Sequence, residues 1–276
     1  MLSLLKIEWL KIKKYPAFWW MLGIVALTIP GINMFFHFIF KEMTSGGNVK
    51  AKAATQLLIG NPYSFPEVWH SVAFFSSLFV VIPAVLVIMI VSNEFTYKTN
   101  RQNIIDGWSR SEFVWSKLID VLIISVIVTL SFAIIALTFG ITNSSEIAVT
   151  RWSEQIKYIP LFLLQTFSQL SIAFLLGFVI KRSFISLGAF LFYFLILENI
   201  FIGLISKFVP SIKEATNFFP LEISDKLIPP PAFWGAFDMT AYQKNLDAIN
   251  MHIVYTIIFT AGIWWLCFAI NRKRDL

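Results

Sequence analysis

The stretch "VVIPAVLVIMIVSNEFTYKTNRQNIIDGWSRSEFVWSKLIDVLIISVIV", residues 80–128, places a charged connector between two apolar runs and decides the fold. The first run reaches back to residue 70 and the second continues to residue 142. Each is close to the roughly 20 apolar residues that cross a bilayer. The connector, residues 93–118, holds seven of the chain's 38 acidic and basic residues. The pattern predicts two membrane spans joined by a polar segment.

The composition also indicates a membrane environment. Of the 276 residues, 57% are hydrophobic and only 14% are charged, which is far more apolar than a soluble domain requires. The net charge of +6 comes from basic residues at the ends of apolar runs, a distribution that sets topology and argues against nucleic-acid binding. The single cysteine, Cys267, excludes an intrachain disulfide and a cysteine-based metal cluster. We predict an all-α integral membrane protein whose residues 1–276 form one transmembrane domain.

Six transmembrane helices are predicted, and basic residues orient them. The spans are 17–40, 70–92, 118–142, 158–180, 184–207 and 251–271. Segments 1–16, 93–117, 181–183 and 271–276 carry 13 basic residues in 50 positions, whereas the other connecting segments carry nine in 88. The positive-inside rule therefore predicts a multi-pass protein of the cell's inner (cytoplasmic) membrane with both termini in the cytoplasm.

The segment before the first span, "MLSLLKIEWLKIKKYP", is predicted to form an amphipathic helix over residues 2–15. Leu2, Leu5, Trp9 and Ile12 recur at helical spacing, with lysines elsewhere on the wheel. Such a helix lies in the membrane interface. The alternative is a simple basic flank that sets topology.

Two helix starts are predicted within the connector, residues 93–117. Thr99 with Gln102, and Ser109 with Glu112, have the spacing of a capping box. Gly107 falls where the first of these helices should end, because a left-handed residue at that position costs glycine least. The first helix is then only about two turns long, too short to be stable alone in water. We expect it to lie on a partner surface.

One face of this short helix is apolar with a cationic end. It carries Arg101, Ile104, Ile105 and Trp108 at positions i, i+3, i+4 and i+7. An aromatic residue together with arginine is typical of protein interfaces. The alternative is that the helix lies on lipid headgroups.

These residues resemble those of a known family. The pattern of Glu94-Phe95, Thr99, Arg101, Ser109-Arg110, Phe113 and Lys117 after the second of six spans resembles the cytoplasmic coupling region of permease subunits in type-2 ABC transporters. The N-terminal helix is similar to that family's connecting helix, and the resemblance extends over the whole chain. It is specific for the superfamily and not for a substrate.

The resemblance implies an ATP-driven exporter half with partners. A short cytoplasmic coupling helix between spans two and three would dock on a separate ABC ATPase subunit, and a second permease subunit, identical or homologous, would complete the path. The implied ATPase-docking residues are Glu94, Thr99, Arg101, Ile104, Ile105, Trp108, Arg110 and Lys117. ATP and Mg²⁺ would be bound by the partner, with no cofactor, metal or catalytic residue in this chain. The sequence agrees, since it contains no phosphate-binding G-x-x-x-x-G-K-[ST] motif.

The resemblance also implies that spans two and five line the path. The corresponding residues here are Phe75, Ser76, Phe79, Tyr193, Leu197, Glu198 and Asn199. Such an aromatic wall with few polar groups suits an amphipathic or apolar substrate, such as a lipid, a peptide or a drug. Glu198 is the only acid well inside a predicted span; it either selects a cationic group or holds a neighbouring helix.

Other polar residues leave two interpretations open. The stripe of Gln165, Ser168 and Gln169 on span four predicts either hydrogen bonds between helices or a substrate path. The outer segment, residues 208–250, is too rich in aromatics and prolines for a solvated linker. It either dips into the outer leaflet, as in the resembled family, or forms a rigid outer cap. His37, His70 and His252 lie near the outer ends of three spans, where separate contacts are commoner than a metal site.

Two other functions remain open from sequence. An ion-coupled secondary transporter would need polar groups at the midplane and broken helices in both halves. An ABC-type complex that transmits force to envelope machinery without transport is the second alternative, and the sequence does not separate it from an exporter.

Overall fold

The computed structural model describes residues 10, 13–45, 60–97, 99, 102, 105, 107, 109–235 and 239–273. All regular structure in these residues is helical. Most of the predicted interfacial helix over residues 2–15 lies outside the described residues. The same holds for Arg101, Ile104 and Trp108 of the connector.

Eleven α-helices are described over these ranges. They are α1 (Pro16–Ser45), α2 (Val68–Ser77), α3 (Val81–Thr96), α4 (Arg110–Asn143), α5 (Glu146–Val149), α6 (Tyr158–Ile180), α7 (Ser183–Phe192), α8 (Glu198–Phe208), α9 (Pro220–Asp225), α10 (Ala232–Gly235) and α11 (Met239–Lys273). A π-helical turn, Tyr193–Leu197, joins α7 to α8, and a 3₁₀ helix, Pro210–Phe218, follows α8. Five helices are long and apolar enough to cross a membrane, or six if the bent pair α2 and α3 is one span. The predicted all-α membrane fold is confirmed.

The observed helices extend beyond several predicted spans. The helix of span three begins at Arg110, directly after Ser109, as the capping box predicts. The helix of span six begins at Met239, well before the expected start at residue 251. Its first three turns are polar, so hydropathy alone could not detect them.

Span two is bent by 48° at a break of three residues between α2 and α3. Pro83 lies in the first turn of α3, where proline is tolerated because that turn's amides have no helical acceptor. Proline cannot donate to the carbonyl of Phe79, which instead accepts from the amide of Ile82 at 3.0 Å. The bend lets α2 pack on α1 and α4 while α3 packs mainly on α6.

Helix α6 is the centre of the bundle. It packs against α2, α3, α4, α7 and α11, and 61% of its most apolar window is buried. Only 17% of the equivalent window is buried in the span of α1, and only 11% in the span formed by α7 and α8. The first and fifth spans are therefore peripheral, with large faces left for lipid or another subunit.

The close approach of Phe65 to Gly140 in this bundle leads to a prediction about stability. A Cβ added at Gly140 of α4 would lie 2.4 Å from Cζ of Phe65, and Phe65 is itself buried beside Trp69. We expect Gly140→Ala to destabilise the folded chain by about 1–3 kcal/mol through overpacking. Gly262→Ala is the matched control, since nothing lies within 4 Å of that position on α11. Melting in detergent should separate the two variants; equal melting temperatures would contradict the packing described here.

Candidate functional site

The connector, residues 93–117, ends at a capped helix start. The side chain of Ser109 accepts from the amide of Glu112 at 3.2 Å, and Oε2 of Glu112 accepts from the amide of Ser109 at 2.7 Å. This capping box was predicted and is confirmed. Gly107 has φ +98°, the left-handed conformation expected at that position. Ile105, two residues before Gly107, is 83% exposed.

A buried charge cluster lies where the connector meets the spans. Nζ of Lys117 on α4 lies 2.9 Å from Oε1 of Glu94 on α3 and 3.1 Å from Oδ2 of Asp120. Lys117 is 1% exposed and Asp120 is 2% exposed. The hydroxyl of Thr99 donates to Oε2 of Glu94 at 2.7 Å. The cluster therefore links α3, α4 and Thr99 of the connector.

This burial changes the role of two predicted docking residues. Glu94 and Lys117 pair with each other inside the protein and do not offer their charges to a partner surface. We therefore place them as residues that position the connector. Arg110 has a similar role, because its Nη1 donates to the carbonyl of Arg272 at 3.1 Å and its own carbonyl accepts from Asn271 at 2.6 Å. These contacts join the start of α4 to the end of α11.

Glu198 lies at the opposite end of the bundle, directly after the π-helical turn. Its Oε1 accepts from the amides of Leu221 and Glu222, both at 2.9 Å, and its Oε2 accepts from the hydroxyl of Tyr193. Leu221 and Glu222 belong to the first turn of α9, whose amides have no acceptor within the helix. The carboxylate thus caps α9 from the fifth span, as in the alternative that it holds a neighbouring helix.

The outer segment is bound to other spans as well. Nε2 of Gln165 and Nε2 of Gln169 on α6 donate to Oδ1 of Asp225 at 2.8 and 2.6 Å. These glutamines lie about 10 to 17 Å along α6 from Tyr158, so α9 sits in the outer half of the bundle and not above it. The polar stripe of span four therefore makes hydrogen bonds to the outer segment.

The three histidines make separate contacts. His37 pairs with Oδ1 of Asn143 at 3.0 Å, His70 with the carbonyl of Pro229 at 2.7 Å, and His252 with the carbonyl of Ile223 at 3.2 Å. Among the residues that the structure describes, no group of three His, Cys, Asp or Glu side chains could hold a metal ion. Two of these histidines hold the outer segment to α2 and α11.

A cavity of about 970 Å³ lies between the outer segment and the spans. Its walls come from α2, α6, α8, α9 and α11 and include Phe74, Ser77, Gln165, Phe194, Glu198, Asn199, Glu222, Asp225, Lys226 and His252. Two predicted path residues, Glu198 and Asn199, are part of this wall. Tyr193 contributes through its hydrogen bond to Glu198, and Leu197 is half-buried in the π-helical turn.

Three predicted path residues on span two face elsewhere. The ring of Phe75 stacks on Phe36 of α1 with centroids 3.9 Å apart, and the hydroxyl of Ser76 accepts from Asn33 of α1 at 3.2 Å. Phe79 lies against α1 in a small crevice. Helical spacing explains the correction: Phe74, Ser77 and Leu78 share the cavity face, whereas Phe75, Ser76 and Phe79 share the face toward α1.

The cavity wall is acidic although the whole chain is basic. Glu198, Glu222 and Asp225 face one inner lysine, Lys226, while Glu214 pairs with Lys244 at 3.5 Å on the exposed rim. Burial raises the pKa of Glu222. Asp225 is open to the cavity, but the protein around the cavity desolvates its carboxyl and raises its pKa to about 7. Sequence reasoning missed Asp225; the signal was an acid in an aromatic, proline-rich segment that could face the glutamine stripe.

Comparison with known proteins supplies the family. Residues 4–197 match the family described as ABC-2 family transporter protein, which covers about seven tenths of the chain. A search of curated proteins finds no match to the chain. The matched range contains the connector, the first four predicted spans and the fifth through the π-helical turn, and it ends one residue before Glu198. The chain therefore belongs to the ABC-2 family of transporter proteins and is an ABC permease.

Proposed function

We propose that this permease is the membrane-spanning subunit of an ATP-driven exporter that couples to a separate ABC ATPase subunit. The observation that carries the proposal is the course of span two. Its outer half, α2, lines the cavity through Phe74 and Ser77, and its inner half, α3, ends at Glu94 in the buried charge cluster. One bent span thus connects the cavity to the connector.

The ATPase would dock on the connector and supply the chemistry. ATP and Mg²⁺ would be bound by the ATPase subunit and not by this chain. The docking face on the connector would consist of Arg101, Ile104, Ile105 and Trp108. The exposure of Ile105 supports this assignment. Movement of the connector would reach the spans through Thr99, Glu94 and Lys117, because their hydrogen bonds join it to α3 and α4.

A second permease subunit, identical or homologous, would complete the path. The uncovered faces of the first and fifth spans support this, because they leave room for a second subunit beside the lipid. The cavity combines apolar side chains from α2 and α8 with a few carboxylates, which suits an amphipathic substrate.

The proposed orientation gives a labelling prediction. With both termini and the connector cytoplasmic and the outer segment outside, a membrane-impermeant thiol reagent should label Gln243→Cys but not Ser109→Cys in intact cells. Both positions are exposed, and Cys267→Ala removes the native thiol, which is buried. Disrupted cells are the control, in which both sites should react. Labelling of Ser109→Cys in intact cells would overturn the topology.

Transport itself is tested in inverted vesicles that contain the permease and its ATPase. Uptake of the transported molecule should require ATP, should fail with a non-hydrolysable analogue, and should continue after ion gradients are collapsed. Uptake that follows an ion gradient without ATP would instead identify a secondary transporter.

A further inference from the structure

We propose that the outer cavity binds the ammonium group of an amphipathic molecule, with Asp225 contacting the cation and the apolar wall holding the attached chain. The inference rests on the proposed function for its biological meaning, because the bound molecule would be the one that the permease moves. The site lies within one subunit, and Asp225 lies outside the residues that match the family.

Glu198 is not available for this contact. Its two carboxylate oxygens already accept from two backbone amides of α9 and from the hydroxyl of Tyr193. A ligand cation would have to compete with donors that also fix the outer segment. The sequence suggested that Glu198 selects a cation. In the structure, another acid of the same cavity wall must make that contact.

Asp225 has the geometry for the role. Both glutamine donors contact Oδ1, and Oδ2 has no hydrogen-bond partner among the described residues. The glutamines hold the carboxylate by one oxygen and leave the other turned to a ligand. A carboxylate offers only acceptor sites when ionised, so its fitting partner is a cation or a strong donor.

Gln165 provides independent support for a ligand here. Its side chain is 1% exposed, lines the cavity, and donates through Nε2 to Asp225. Its Oε1 has no hydrogen-bond partner among the described residues. A buried acceptor without a partner is costly, and most such groups in proteins are satisfied. An N–H donor beside Asp225 would supply the missing partner.

The rest of the wall suits the remainder of such a molecule. Phe74, Leu78, Phe194, Leu195 and Ile202 give the cavity an apolar side formed by spans two and five. Leu78 and Leu195 are about half exposed, so an alkyl chain can extend outward along them. An anionic headgroup would meet Glu198, Glu222 and Asp225 against the single inner lysine, Lys226, and would be disfavoured.

Binding should depend on pH in a defined direction. Because the pKa of Asp225 is raised to about 7, its charge and the affinity for a cation should increase as pH rises through 7 and fall as pH drops below it. The other charged or titratable groups facing this acid are Glu222 and Lys226 on its own segment, Glu198 from α8 and His252 from α11. Protonation of His252 would act in the same direction, so an Asp225 variant is needed to assign the effect.

The test measures binding of dodecylammonium and dodecyl sulfate to the purified full chain in nanodiscs, without ATP. The wild type should bind the cationic probe about tenfold or more tightly than the anionic one. Asp225→Asn should weaken binding of the cation by about tenfold or more, the usual scale for a hydrogen bond to a charged group, and should remove the pH dependence near 7. The matched control is Glu214→Gln, since Glu214 is an exposed rim acid paired with Lys244.

Two results would overturn the site. One is unchanged affinity of Asp225→Asn for the cation; the other is equal affinity of the wild type for both probes, which decides the question even if the variant fails to fold. If binding depends on Asp225 but ATP-driven uptake fails, the proposed function is rejected and the cation site stands. If ATP-driven uptake occurs but Asp225→Asn binds the cation normally, the cation site is rejected and the proposed function stands.

Discussion

Replacing Lys117 with methionine is expected to destabilise the folded permease by about 3–5 kcal/mol, because it removes the buried cation that pairs with Glu94 and Asp120. Methionine keeps most of the side-chain length, so the loss of stability reflects the missing charge and not a new cavity. The melting temperature in detergent should fall strongly. Docking of an ATPase should weaken as well, since Thr99 reaches the cluster through Glu94.

An exposed ion pair in the segment between α5 and α6 provides the comparison. Arg151 and Glu154 lie 2.6 Å apart, but both are about half exposed. Arg151→Ala should therefore leave the melting temperature almost unchanged. Combining Lys117→Met with Glu94→Gln and Asp120→Asn should recover much of the stability, because no buried charge is then left uncompensated. A single Lys117→Met variant as stable as the wild type would contradict the cluster.

Replacing Glu198 with leucine should detach the outer segment from the fifth span. The change removes the acceptor of two amides at the start of α9 and of the Tyr193 hydroxyl. Each buried donor left without a partner costs about 1–3 kcal/mol, so the combined effect is large even if part of it relaxes. We expect a lower melting temperature together with faster proteolysis within the outer segment, residues 208–250.

The neighbouring Asn199 is the control for this variant. It is exposed, and within the described part of the chain its side chain bonds only the carbonyl of Leu195 in its own span. Asn199→Leu should leave proteolysis of the outer segment unchanged. Glu198→Gln should be intermediate, because an amide keeps one acceptor but brings its own donors toward the amides of α9. If Glu198→Leu melts and cleaves like the wild type, the carboxylate does not hold this segment.

The helical bundle and the helix start at Ser109 could be predicted because their signals are local. Apolar length predicts a span whatever it packs against, and the capping box of Ser109 and Glu112 lies within four residues of the chain. The same holds for Gly107, whose left-handed backbone follows from its place after a short helix. None of these features depends on distant residues.

The cavity could not be predicted in the same way because its contacts are distant in sequence. Glu198 meets Leu221, 23 residues later, and Gln165 meets Asp225, 60 residues later, in a segment without helical or strand periodicity. The face of span two was also ambiguous. Its helix is interrupted near Pro83, so the sequence does not reveal which of Phe74 and Phe75 faces span one.

If this ABC permease works with a separate ATPase, its purification from the native membrane should bring that ATPase with it. We expect a nucleotide-binding ABC ATPase subunit in stoichiometric amount and an eluate that hydrolyses ATP. A matched purification of Trp108→Ala should retain the folded permease and lose much of the ATPase, because Trp108 belongs to the proposed docking face. Isolation of an intact, folded wild-type permease without any ATPase would instead show that the permease does not depend on such a partner.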